Sequence, residues 1–173
     1  MTAGLPDGDS YRLEFRHSNK IGANAFALPS GIVVVTDALV KLGQTDDEVV
    51  AVLAHEVGHL EHRHSLRMVM QDSAVALLIA TVSGDPFSSS TLVAALPTLL
   101  VHARYSRKFE AEADDYAYDF LVAQGIPTQA FADMLVRLGA KDETSAAEEF
   151  LSSHPGTQER IERFRTDESL ESD

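Results

Sequence analysis

The sequence predicts an α+β domain, mostly α-helical, with a small antiparallel β-sheet packed on one central helix. Three observations carry that expectation. The strand-like segments, Leu13 to His17, Ala25 to Leu28 and Ile32 to Val35, all lie before Thr36, helical periodicity dominates the chain beyond it, and Gly, Pro and Ser clusters separate the segments. At 173 residues and 45% hydrophobic content, the chain is long enough to bury a core. It leaves no length for a second domain of ordinary size, so one domain over 1–173 is expected.

The elements come in order. Leu13 to His17 alternates apolar and polar residues, and Ala25 to Leu28 and Ile32 to Val35 flank Pro29-Ser30-Gly31, a hairpin signature. Thr45-Asp46-Asp47-Glu48 fits a capping box, with Thr45 as N-cap, Glu48 reaching back and a helix starting at Asp46. Val49, Val50, Val52, Leu53, Val57 and Leu60 give that helix a broad apolar face. Gly58 costs it ~1 kcal/mol of helix propensity against Ala, which predicts a close contact with another element there.

Ala74 to Val82 and Thr91 to Ala103 are each shorter than the ~18 apolar residues of a spanning helix, and Ser83-Gly84-Asp85-Pro86 divides them. They read as a hairpin of core helices or, alternatively, as a lid or membrane-touching hairpin over the site. Ser106 to Ala123 is a further helix, its buried stripe formed by Phe109, Ala113, Tyr116, Ala117 and Phe120, ending near Gly125-Ile126-Pro127. Phe131, Met134, Leu135 and Leu138 mark the next helix, with Gly139 as its expected C-cap. Ser153-His154-Pro155-Gly156-Thr157 is a turn that launches a last helix, Gln158 to Arg165, with Thr157 as cap. The acidic end from Asp167 reads as a solvated, disordered tail.

Charge and composition narrow the function. Lys and Arg number 14 against 27 Asp and Glu, a net charge of −13, which opposes binding to nucleic acid or anionic lipid. Cysteine is absent, so disulfides and thiolate metal sites are excluded and any metal must use His, Asp or Glu. Met1 to Ser10 lacks the basic start and apolar run of a secretory signal.

The most informative pattern is His55-Glu56-Val57-Gly58-His59. Residues four apart sit ~40° apart around a helix, so His55 and His59 project to one side and can share one ion, with Glu56 beside them. A hydrolytic zinc site takes three protein ligands and a water whose pKa the ion lowers toward neutrality. Candidates for the third ligand are Glu61, His62, His64, His102, Glu110, Glu112, Asp114 and His154. A metzincin would need Gly at 62 and His at 65, where this chain has His62 and Ser65. Glu110 is preferred, because Asp114 lies one turn later on the same face and one carboxylate can bind metal while the other holds a histidine N–H from behind.

Asn24-Ala25-Phe26-Ala27, the His55–His59 motif, Ser106-Arg107-Lys108-Phe109-Glu110-Ala111-Glu112-Ala113-Asp114, and Ser153-His154-Pro155 followed by Arg160 occur in this order along the chain. In these four motifs the sequence resembles the zinc metallopeptidases that include the CAAX prenyl protease and the bacterial heat-shock membrane protease HtpX, over nearly its whole length. The resemblance implies a zincin-like fold and one zinc ion per chain held by His55, His59 and Glu110. It implies Glu56 as general base and Asp114 as partner of a ligand histidine. It also implies His154 near the substrate carbonyl, with Arg160 as its structural or oxyanion-side companion. Family members are typically membrane-associated, so the chain is expected to be the catalytic domain of a longer membrane-tethered protein of the bacterial envelope, serving protein quality control. Its membrane proximity would come through 74–103 or an N-terminal anchor outside this sequence.

The expected function is therefore a zinc-dependent endopeptidase acting on polypeptides. An extended substrate would pair with the edge strand at Asn24, Ala25, Phe26 and Ala27. Asn24 either binds a substrate amide or simply precedes the strand. His62, His64 and His102 are expected not to be ligands, the first two being exposed or placed behind a ligand near the helix end, and Glu112 is expected to be solvated. Two rivals stand beside this reading. One is a chaperone-like module that binds without cleaving, and the other is a structural metal site closed by four ligands.

Overall fold

The structure, a computed structural model, describes residues 11–18, 21–71, 106–140, 150, 153–154 and 157–165. The expected 74–103 hairpin, His102, the N-terminal decapeptide and the tail from 167 lie outside the described residues. Three strands, β1 (Arg12–Arg16), β2 (Ala25–Leu28) and β3 (Ile32–Thr36), form one sheet in the order β1–β3–β2. The expected hairpin is present: β2 runs antiparallel to β3, with Ala25 opposite Val35 and Leu28 opposite Ile32. Gly31, at φ 81°, supplies the left-handed turn residue.

The sheet is nevertheless mixed, not purely antiparallel, because β1 pairs parallel with β3, Arg12 opposite Ile32 and Arg16 opposite Thr36. A tight turn fixes only the two strands it joins. The longer link after β1 lets that strand cross to the far side of β3 in the same sense. Val33 and Val35 of the central strand are fully buried.

A short helix, α1 (Asp37–Leu42), was not expected. Thr36 ends β3 and also caps α1, its Oγ1 accepting from the Leu39 N–H at 3.2 Å. The motif helix α2 (Asp46–Glu61) begins where the capping residues place it, and Thr45 Oγ1 accepts from the Glu48 N–H at 3.3 Å. Glu48 departs from the capping box. Its carboxylate accepts from the Gln44 N–H at 2.9 Å, one residue before the cap, and pairs with Arg137. The arginine draws it toward the neighbouring helix.

Helix α3 (Arg107–Gln124) starts after its N-cap Ser106 and stops at Gly125, whose φ of 66° is the left-handed cap geometry. Helix α4 (Gln129–Ala140) runs through Gly139, so Gly139 is not its C-cap. Leu138 is fully buried, and that packing carries the last turn past the glycine's weak propensity. The last helix, α5 (Thr157–Arg165), includes Thr157 in its first turn instead of stopping short of it, a one-residue shift of the kind helix ends commonly show.

Helix α2 is the hub. It packs against α3, α4 and β2, and Val49, Val52, Leu53 and Val57 join Leu121, Phe131, Met134, Leu135 and Phe164 in one core. A Cβ at Gly58 would stand 3.0 Å from both Cα and O of Ala113 and 3.1 Å from Cβ of Tyr116. The close contact expected at Gly58 is thus with α3, and it brings the helix bearing Glu110 against the one bearing His55. Among the described residues no helix is long and apolar enough to cross a membrane.

Candidate metal centre

The one-turn spacing on α2 turns two imidazoles to the same side: His55 Nε2 and His59 Nε2 lie 3.0 Å apart. The α2–α3 crossing delivers Glu110 to the same point, its carboxylate oxygens 3.5 Å from His55 Nε2 and 3.3 Å from His59 Nε2. His154 comes from the segment before α5, with Nδ1 3.3 Å from His55 Nε2 and 3.1 Å from Glu110 Oε1. All four side chains are buried, and each offers a donor atom within 4.8 Å of the others.

The far nitrogens of both α2 rings are held. Asp114 Oδ1 lies 2.9 Å from His55 Nδ1. A carboxylate only accepts, so Nδ1 carries that proton and Nε2 faces the focus. His59 Nδ1 lies 2.9 Å from His64 Nδ1, and His64 Nε2 lies 2.8 Å from Glu112 Oε2. Arg160 braces the carboxylates from α5. It donates through Nε and Nη2 to both oxygens of Asp114 at 2.8 Å, and its Nη1 stands 2.8 Å from Glu110 Oε2. This planar fork is the bidentate geometry at which Arg excels. It makes Arg160 a brace for Asp114 and Glu110.

Burial and these charges shape the proton affinities. Burial and Arg160 disfavour the protonated form of His55, but Asp114 and Glu110 outweigh them and raise its pKa to about 9. For Glu110, burial favours the neutral acid, yet the surrounding histidines hold it well below the usual carboxylate range. Burial pushes His59 well below the ordinary imidazole value. Glu56 is raised, chiefly by burial. Its oxygens have no hydrogen bond of full geometry among the described residues, although His154 Nε2 stands 3.4 Å from Oε1.

At the strand expected to meet substrate, Ala25 and Ala27 face inward and Phe26 is half-buried. The Asn24 and Leu28 carbonyls accept from Thr36 and Gly31 on the β3 side. The antiparallel alternation therefore turns the backbone of Ala25 and Ala27 to the sheet's other edge. Ser65 Oγ already donates to the Ala27 carbonyl there at 3.0 Å, which narrows the free edge to fewer groups than the sequence suggested. Asn24 is buried, and its Oδ1 has no hydrogen-bond partner among the described residues.

One expectation needs correction. Glu112 is not simply solvated: it is half-buried, bonded to His64 and to Arg67 Nη1 at 2.9 Å. Both contacts hold its carboxyl down to about 2. The two expected alternatives for the histidines after the motif are divided between them: His64 is fully buried behind His59, whereas His62 is exposed. Helical periodicity could not place His64, because α2 ends first and Arg63, at φ 52°, turns the chain back under the motif. Glu61 is exposed and does not join the cluster.

The donor set fits a tetrahedral zinc ion. Ligand distances of ~2.0–2.1 Å require donors ~3.3 Å apart; the two Nε2 atoms stand 3.0 Å apart, with Glu110 Oε2 3.5 Å from that of His55 and Glu110 Oε1 3.3 Å from that of His59.

Comparison with known proteins places the chain in a family. The model of peptidase family M48 matches residues 2–168. The chain is 34% identical over 146 residues to the metalloprotease LoiP of Escherichia coli and 31% identical over 146 residues to the metalloprotease YcaL of the same organism. Each alignment covers 82% of this chain and 57% of the relative. It is 32% identical over 137 residues to the mitochondrial metalloendopeptidase OMA1 of Arabidopsis thaliana, covering 79% of this chain and 28% of that protein. The chain thus spans little more than half the length of the first two relatives. With the family model matching residues 2–168, the chain belongs to peptidase family M48.

Proposed function

We propose that this chain is the catalytic domain of a zinc-dependent endopeptidase that hydrolyses peptide bonds in protein substrates. The observation that carries the reading is Glu56, a fully buried carboxylate lacking a full hydrogen bond among the described residues, set beside a cluster of two imidazoles and a second carboxylate. His55, His59 and Glu110 hold the ion, with Asp114 fixing the His55 ring and Arg160 bracing Asp114 and Glu110. Zinc bound there supplies a water of lowered pKa and polarises the scissile carbonyl.

The remaining work falls to the chain's own side chains. Glu56 takes a proton from the attacking water and returns it to the leaving amine nitrogen. Its raised proton affinity suits both transfers, since an ordinary exposed carboxylate gives protons up too readily to hold one at neutral pH. His154, whose Nε2 faces Glu56, donates to the developing oxyanion, a contact of the kind worth ~3 kcal/mol. An extended peptide pairs with the outward backbone of Ala25 beside Phe26 and Ala27, and the orphan Asn24 Oδ1 accepts a substrate amide N–H. The names of the relatives, metalloprotease and metalloendopeptidase, support the reading. We place residues 1–173 in one domain of a membrane-associated protein serving protein quality control, which rests on the resemblance to membrane proteases.

One observation favours a structural metal site instead: His154 Nδ1 stands at the same spacing from the cluster as the other donors, a fourth corner. Glu56 weighs against it. A closed structural site has no use for a buried ionisable carboxylate at its side. Zinc content and cleavage of casein, wild type beside Glu56→Gln, decide the matter. One zinc per chain in both proteins with cleavage only by the wild type supports the proposal. Metal without cleavage in the wild type supports the structural site or the chaperone-like module, and metal-free protein overturns the whole reading.

A further inference from the structure

His64 reaches none of the donors of the metal centre directly, yet it is fully buried and both ring nitrogens are engaged. Its ring stacks on Phe109 at 4.4 Å between centroids, 10° from parallel. On one side Nε2 lies 2.8 Å from Glu112 Oε2, and on the other Nδ1 lies 2.9 Å from His59 Nδ1. A carboxylate only accepts, so His64 Nε2 is the donor in the first bond. In the second, only one of two facing nitrogens can carry the hydrogen. If His59 is to turn the lone pair of Nε2 toward an ion, its own Nδ1 must hold the proton, which makes His64 Nδ1 the acceptor.

We propose that Glu112 and His64 form a relay that sets the tautomer and ring orientation of His59, making His64 a positioning residue for the metal centre. The two α2 imidazoles are then fixed by different devices. His55 leans directly on Asp114, whereas His59 leans on a neutral ring whose own orientation is set by a carboxylate. Arg67 Nη1, 2.9 Å from Glu112 Oε2, holds that carboxylate in place, and the Arg67 guanidinium lies over the Phe109 ring at 4.4 Å. The relay accounts for the burial of His64 and for its bond to Glu112.

His62, His64 and Glu112 also lie close enough together to suggest a second ion. Arg67 and Lys108, both paired with Glu112, oppose a cation there, and His64 has no nitrogen left for it. The inference rests on the zinc reading of the main site, and the experiment separates the two.

Zinc affinity by chelator competition, and the d–d absorption spectrum after cobalt substitution, are measured for wild type, His64→Phe, His64→Gln, Glu112→Ala and the double variant His64→Phe with Glu112→Ala. Phenylalanine keeps the stack on Phe109 but neither bond, while glutamine keeps an acceptor for His59 and a donor for Glu112. The relay predicts zinc binding weakened about 10–100-fold in His64→Phe with a shifted cobalt spectrum, and affinity largely recovered in His64→Gln. Glu112→Ala weakens binding in the same direction and adds little in the His64→Phe background. Wild-type affinity and spectrum in His64→Phe, with a loss in His64→Gln, overturn the relay in favour of packing alone. Should His64→Phe fail to fold, Glu112→Ala decides, since unchanged affinity and spectrum there refute it. A second zinc lost on Glu112→Ala overturns it too. Wild type that binds no zinc defeats the metal-centre reading itself.

Discussion

Gly58→Ala places a methyl group on the helix crossing that assembles the site. In an isolated helix the change would stabilise by ~1 kcal/mol, because glycine is the poorer helix former. Here the new Cβ would stand 3.0 Å from Cα and O of Ala113 and 3.1 Å from Cβ of Tyr116. Two of these three atoms are backbone of α3, which cannot swing aside as a side-chain tip can. The helices must separate by a few tenths of an ångström. Overpacking of this kind costs about 1–3 kcal/mol. Set against the propensity gain, the net effect is a destabilisation of up to about 2 kcal/mol, or a melting temperature lower by as much as ~4–8 °C for a domain of this size. The separation also moves Glu110 away from His55 and His59, so zinc affinity falls along with stability. Thermal melts of metal-free and zinc-loaded protein measure both effects. A higher melting temperature with unchanged zinc affinity would refute the claim that this crossing sets the site's geometry.

Other consequences are as direct. Removing zinc lowers the melting temperature, because an ion that binds only the folded state, present at 100 times its Kd, contributes about 2.7 kcal/mol; an unchanged melt after complete chelation contradicts a bound site. Asp114→Asn weakens zinc binding about 10–100-fold, since the amide is a poorer partner for His55 Nδ1–H and leaves Arg160 with Glu110 as its one carboxylate partner at the site; wild-type affinity in a competition assay would dismiss that role. Zinc affinity rises with pH. His55 without metal binds its proton up to about 9, and below that value zinc must displace the proton, so binding releases it to buffer. Titration calorimetry in buffers of different ionisation enthalpy detects the release, and an enthalpy independent of buffer would argue against it.

Local signals made the frame legible. Thr45 and the acidic first turn located the start of α2, Ser106 and Gly125 bracketed α3, and Pro29-Ser30-Gly31 marked the β2–β3 turn. The one-turn spacing of His55 and His59, with Glu110 and Asp114 repeating it on a second helix, singled out the residues that the structure brings together. What escaped depends on contacts between distant segments or on breaks in periodicity. The parallel pairing of β1 has no turn to announce it. Helix α1 hides because its cap is also the last residue of a strand. Gly139 looks like a stop until Leu138 is seen to be buried. His64 lies beyond a left-handed residue, so no helical wheel places it under His59, and Glu112 finds its partner only through that turn.

Crystals grown with zinc and measured on either side of the zinc absorption edge test the central claim most directly. The account predicts one anomalous peak at ~2.0–2.2 Å from His55 Nε2, His59 Nε2 and one oxygen of Glu110, with Glu56 beside it and not bound to it. A peak that leaves Glu110 out, or none at this focus, would contradict it.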